Sequence, residues 1–162
     1  MLELLPPEIQ VFLISMLPAL ELRFSIPYGM AALGMTRWTA LGISLFGNIL
    51  IAVFLLWMLD PVTLFLRKHI PGMKKFTDWL FHRTRNKHNK RVSELGHLAL
   101  FVFVAIPLPG SGAWSGALVA YLFAVKKKTA LLWISLGLIV AGVLVAFGTA
   151  GVMKAVELLI GA

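Results

Sequence analysis

Glu21-Leu22-Arg23-Phe24-Ser25-Ile26-Pro27-Tyr28-Gly29 decides how the chain is read. A carboxylate and a guanidinium stand two residues apart, with apolar sequence on both sides. Upstream runs Ile9 to Leu20, broken by Pro18; downstream runs Ile26 to Met35, broken by Pro27, Gly29 and Gly34. A charge placed in hydrocarbon is costly, so such residues are kept paired or turned toward a cavity, and their presence marks a functional position. Neither apolar arm has the 20 or so residues that a full bilayer crossing needs. Residues 8–35 therefore read as a re-entrant hairpin of two half-helices with the charged stretch at its tip. Irregular backbone at that depth is tolerated only against protein or a cavity. The competing reading is one long, kinked spanning helix.

Composition agrees with a membrane setting. The 162 residues are 59% hydrophobic, against about 45–50% for soluble domains, and the mean hydropathy is +0.89. The net charge of +8 is concentrated between Arg67 and Arg91 and at Lys126-Lys127-Lys128. A basic chain can bind nucleic acid, but basic loops also hold a membrane protein in its orientation, and no nucleic-acid partner is expected here. There is no cysteine, and the start Met1-Leu2-Glu3 lacks the basic segment of a cleaved signal peptide.

Trp38 to Leu59 reads as the cleanest spanning helix: uncharged, with Trp38 and Trp57 near its ends and Asp60-Pro61 as a stop. Gly42 and Gly47 would admit a neighbouring helix closely. Asn48 is its strongest polar residue, read as interhelical glue or as a ligand. Residues 61–96 form a basic linker, with Val62 to Leu66 in an interfacial turn. Met73, Phe76, Trp79 and Leu80 lie at helical spacing among basic residues, the pattern of an amphipathic helix on anionic lipid headgroups. Arg85 to Arg91 reads as a solvated loop.

His97 to Ile106 is again apolar and short. Pro107-Leu108-Pro109-Gly110-Ser111-Gly112 forms a second tip, Ala113 to Val125 returns from it, and Thr129 to Phe147 is the second full span. Residues 151–162 are a tail. The order of a broken hairpin followed by a full span thus occurs twice, in residues 8–60 and 97–150 of a single membrane domain. Thr39-Ala40-Leu41 with Gly47 echoes Thr129-Ala130-Leu131 with Gly137. Charge favours this topology. Four full crossings would put the two basic clusters on opposite faces, whereas two re-entrant hairpins (8–35 and 97–125) put both in the cytoplasm. The fold expected is an all-α integral membrane protein of the cytoplasmic membrane: an inverted repeat of re-entrant hairpin plus transmembrane helix, with a cytoplasmic amphipathic basic linker.

The candidate site joins the two tips. Glu21 is the proton-coupling candidate and Arg23 the anion-holding one; the bland alternative is a static ion pair. Ser25, Pro27, Tyr28 and Gly29 belong to the first tip. Pro107, Pro109, Gly110, Ser111 and Gly112 form the second, with Ser115 behind them, and the half-helix opening near Ala113 favours an anion at its start. The alternative there is an inert turn. Trp114 and Tyr121 read as packing residues. The four histidines, His69, His82, His88 and His97, lack metal-ligand spacing, so no metal or cofactor is expected. Gly112-Ala113-Trp114-Ser115-Gly116 is not a G-x-S-x-G elbow, so no enzyme is expected.

Glu21-Leu22-Arg23, Ile26-Pro27 and Gly29, with Pro107 to Gly112, resemble the small multidrug export family over nearly the whole chain. That family is distantly similar to the DedA membrane proteins, whose relatives carry undecaprenyl phosphate or, in eukaryotes, scramble lipids. The resemblance implies two facing re-entrant hairpins, with Glu21 and Arg23 as the acidic and basic residues of the first. The second tip departs from the DedA pattern: Ile106 and Gly112 stand where arginines flank the Pro-Gly. The function expected is export or flipping of an amphipathic molecule or lipid carrier, coupled to protons or ions. The alternatives are an uncoupled scramblase or a scaffold. A homodimer or larger homo-oligomer is expected, because half-helices need cover.

Overall fold

The computed structural model describes residues 5–70, 72, 74, 75, 77, 78, 90–108 and 110–160. Among these the chain is helical: α1 (Pro7–Met16), α2 (Glu21–Ala31), α3 (Arg37–His69), α4 (Lys90–Ala105), α5 (Ala113–Leu122) and α6 (Lys127–Ile160). Met73, Phe76, Trp79 and Leu80, which define the expected amphipathic segment, and Pro109 lie outside the described residues.

Local chemistry sets the breaks. Pro7 opens α1, where its missing N–H costs nothing, and Glu8 follows in the first turn. Pro18 ends α1, because the residue before a proline is pushed to extended backbone and Leu17 adopts φ −73°, ψ 137°. The chain then reverses through Ala19 (φ 72°) and Glu21 (φ 47°), both in the left-handed region that L residues avoid. Thr36 caps α3, its Oγ1 accepting the Thr39 N–H at 3.2 Å.

Three sequence expectations need correction. The Glu21–Gly29 stretch is not irregular. It forms most of α2, with Pro27 inside the helix, and the irregular turn lies just before it, at residues 17–20. Asp60-Pro61 does not stop α3, which continues through the expected turn at 62–66 to His69. One proline removes a single helical hydrogen bond, and near the end of an apolar span water can satisfy the freed carbonyl. Likewise α6 runs unbroken past Phe147 to Ile160.

Helices α3 and α6 are long and apolar enough to cross a membrane; the 33 residues of α3 extend about 50 Å. Phe46, Leu50, Phe54 and Trp57 are exposed on α3, and Leu132, Leu136, Ile139 and Leu144 on α6. Apolar side chains in such numbers on an outer face suit lipid, not water. The two helices pack antiparallel. Lys127 Nζ meets Asp60 Oδ2 at 2.6 Å and lies over the Trp57 ring. At the other end, Arg37 lies 5.3 Å from the centre of the Phe147 ring, which Trp38 meets edge-on.

The main packing pairs are α1–α2, α1–α3, α2–α3, α4–α5, α4–α6, α5–α6, α3–α5, α2–α6 and α3–α6. Exchanging α1, α2 and α3 for α4, α5 and α6 returns the same set. Burial repeats at the same offset of 90 residues: Ala40, Ser44, Gly47, Asn48, Ile51 and Ala52 are buried on α3, and Ala130, Ile134, Gly137, Leu138, Ala141 and Gly142 on α6. The glycines give the close approaches. A Cβ at Gly47 would fall 2.0 Å from Ser15 Oγ on α1, and one at Gly137 would fall 2.8 Å from Val104 Cβ on α4. Gly42, expected to serve the same purpose, faces open space.

Candidate functional site

The turn before α2 delivers Glu21 to the start of α5. The Glu21 carboxylate is 5% exposed and meets Arg23 Nη1 at 2.7 Å through Oε2. Its Oε1 accepts the Trp114 backbone N–H at 3.2 Å. The first turn of a helix has N–H groups without helical partners and carries partial positive charge. The anion that fills this position is therefore one of the chain's own carboxylates. Gly112 makes the approach possible: a Cβ there would lie 1.5 Å from Glu21 Oε2. Ser115 Oγ accepts the Gly112 N–H at 2.9 Å, half of a capping box.

Arg23 ties the tips together from the other side. Its Nη2 donates to Ser111 Oγ at 2.9 Å and to the Ser111 carbonyl. Ser111 in turn donates to the Ile106 carbonyl at 2.6 Å. Trp114 adds a further strut, its indole N–H donating to the Met16 carbonyl at 3.0 Å. Arg23 Nε is buried and, among the described residues, has no hydrogen-bond partner. The guanidinium thus uses its two terminal nitrogens and keeps one donor in reserve.

Glu21, Arg23, Ser111 and Gly112 gather at one point, with Ser115 capping behind them. Pro107 and Gly110 lie exposed on the approach, where Gly110 takes φ 83°. The other candidates lie elsewhere. Ser25 donates to Ser44 on α3 at 2.7 Å. Tyr28 donates to Gln10 on α1 at 2.9 Å. Pro27 is half-buried within α2, and Gly29 packs against Val11 and Ala40. Asn48 donates to the Ser15 and Ser44 carbonyls at 2.9 and 3.0 Å. Sequence reasoning missed the role of the Trp114 backbone, which no side-chain pattern announces. It also missed Gln10, which a lone amide in the apolar run from Ile9 to Leu20 does signal. Among the described residues no three of His, Cys, Asp and Glu converge. His97 stacks on Trp133, and His69 lies tilted against Phe65.

Residues 21–144 match the model of a family described as putative small multi-drug export protein. The chain belongs to that family. The matched region begins at Glu21 and takes in α2, α3, the second tip and about half of α6. Family and apolar helices together make this a membrane protein. No curated protein and no solved structure matches the chain.

Proposed function

We propose that the chain is a carrier in the cytoplasmic membrane, not an enzyme, and that it exports or flips an amphipathic small molecule or lipid carrier by opening and closing the contact between its tips. The observation that carries this reading is the Glu21 carboxylate, seated on the α5 N-terminus and paired with Arg23. An anionic group on a substrate would find the same partners once Glu21 withdraws: the Trp114 N–H and the Arg23 guanidinium with a spare donor. Loss of the Glu21 charge would remove the ionic part of its attraction to Arg23 and ease their separation, which is how a proton gradient would drive the cycle.

In this reading α1–α2 and α4–α5 are re-entrant hairpins of an inverted repeat, and alternating access rocks one repeat against the other. The antiparallel α3–α6 pair, the packing set that survives exchange of the halves and the burial pattern offset by 90 residues all support it. So do the apolar lengths: 10 residues in α1, 11 in α2, 10 in α5 and, within the 16 residues of α4, the apolar part Gly96–Ala105 each cover about half the thickness of a hydrocarbon core. The basic sequence between the two halves would then face the cytoplasm and its anionic lipid headgroups, and a homo-oligomer would cover the short helices.

Proteoliposomes holding wild-type or Glu21→Gln protein, assayed over a panel of amphipathic substrates with and without a pH gradient, test the proposal. Glutamine keeps the acceptor for the Trp114 N–H but removes the charge. The expected result is gradient-driven transport by wild type, lost in a folded Glu21→Gln variant. Equal transport by both would refute the role of Glu21. Transport indifferent to the gradient would describe an uncoupled lipid translocase instead.

A further inference from the structure

A second polar cluster joins α1, α2 and α3. Ser15, Ser25, Ser44 and Asn48 are all fully buried. Ser25 Oγ donates to Ser44 Oγ at 2.7 Å, Asn48 Nδ2 donates to the Ser15 and Ser44 carbonyls, and Ser15 Oγ lies against Gly47. The other half of the chain shows what packing alone requires at these places. At the offset of 90 residues, Ile134 stands for Ser44 and Leu138 for Asn48; Val104, facing Gly137, stands for Ser15, which faces Gly47. All three are fully buried as well. Apolar side chains thus support the equivalent helix contact at these three places, so Ser15, Ser44 and Asn48 are not demanded by the packing.

Asn48 Oδ1 is the telling atom. It is buried and, among the described residues, has no hydrogen-bond partner. The amide is correctly oriented, because Nδ2 faces two carbonyls and a flip would set Oδ1 against them. A buried acceptor left without a partner is costly to keep. The cluster also lies at the C-terminal end of α1, which closes at Met16 and where the helix dipole places partial negative charge. Its open lone pairs belong to neutral oxygens. A divalent cation would call for carboxylates. Neutral oxygens at the carbonyl end of a broken helix suit a monovalent ion.

We propose that Asn48, with Ser15, Ser25 and Ser44, forms a binding site for one small monovalent cation, sodium, at the C-terminal end of α1. Binding stands independently of the carrier reading; only its coupling to transport rests on that reading. A sodium ion between α1 and α3 would hold the first hairpin on its own spanning helix, leaving the contact between the tips as the element that moves.

The test is the thermal melting of detergent-solubilised protein as sodium replaces choline at constant ionic strength. Ligand bound only by the folded state raises Tm, and once its concentration exceeds Kd the rise continues with the logarithm of that concentration. Wild type is expected to show a Tm that rises with the logarithm of sodium concentration. Asn48→Leu, which installs the residue of the other half, is expected to lose that rise while keeping or raising its Tm in choline. Ser44→Ala is expected to lose it too, so the test holds should the leucine variant fail to fold. A wild-type Tm indifferent to sodium would overturn the proposal, and so would a rise retained in both variants. Neither outcome touches the Glu21→Gln transport test, so the two readings fail separately.

Discussion

Replacing Gly112 with alanine isolates the contact between the tips. The Gly112 backbone has φ −127°, ψ −146°, outside the left-handed region that favours glycine, and the penalty set by Glu21 is one of space. The added Cβ would fall 1.5 Å from Glu21 Oε2, 2.3 Å from its Cδ and 2.6 Å from Oε1. None of these can be relieved by a small side-chain adjustment, so the carboxylate must leave. Its departure breaks the 2.7 Å pair with Arg23 and strips the Trp114 N–H of its acceptor. Both side chains are largely buried, 13% exposed for Arg23 and 5% for Glu21, so solvent screening gives little relief. The expected cost is about 3 kcal/mol, the low end for breaking a buried pair.

Glu21→Ala supplies the control. It removes the carboxylate, leaves the space beside Gly112 open, and keeps the same left-handed backbone at position 21. In that background Gly112→Ala should cost less than about 0.5 kcal/mol, giving a coupling of roughly 2–3 kcal/mol in the double-mutant cycle. Reversible unfolding of the four proteins in detergent measures it. Additive costs would refute the reasoning, because Gly112 would then not be making room for Glu21.

Other outcomes follow from the same coordinates. Gly47→Ala and Gly137→Ala should each destabilise the fold by about 1–3 kcal/mol through overpacking, because their Cβ atoms would meet α1 and α4. Gly42→Ala, in open space, should be neutral or stabilising by up to about 1 kcal/mol; equal effects at all three positions in melting experiments would contradict the packing. Ala19 and Ala124 sit at φ 72° and 53°, so glycine at either should raise stability by up to about 1 kcal/mol, and a loss of stability would show that the turns are not strained.

Much of the architecture is legible in the chain. Pro18 announces the break, because proline's effect on its neighbour is local. The two long apolar runs announce α3 and α6, because hydrophobic length is additive. The echo of Gly47 in Gly137 points to equivalent packing, since only glycine admits such an approach. Other features escape because they are not local. Pro61 reads as a stop, yet the helix absorbs it. Nothing within the Glu21–Gly29 stretch tells that its carboxylate is received by a backbone N–H 93 residues away. Gly112 looks like a turn residue and proves to be the space that a carboxylate occupies. Ser15 and Ser44 pass as ordinary small residues until burial places them beside Asn48.

The sidedness of single cysteines introduced at positions 37, 68 and 128 tests the re-entrant topology most directly, since the native sequence contains no thiol. Membrane-impermeant reagent applied to intact cells and to inverted vesicles should label positions 68 and 128 from one face and position 37 from the other. Labelling of 68 and 128 from opposite faces would mean four complete crossings, and the meeting of two hairpin tips inside the membrane would be wrong.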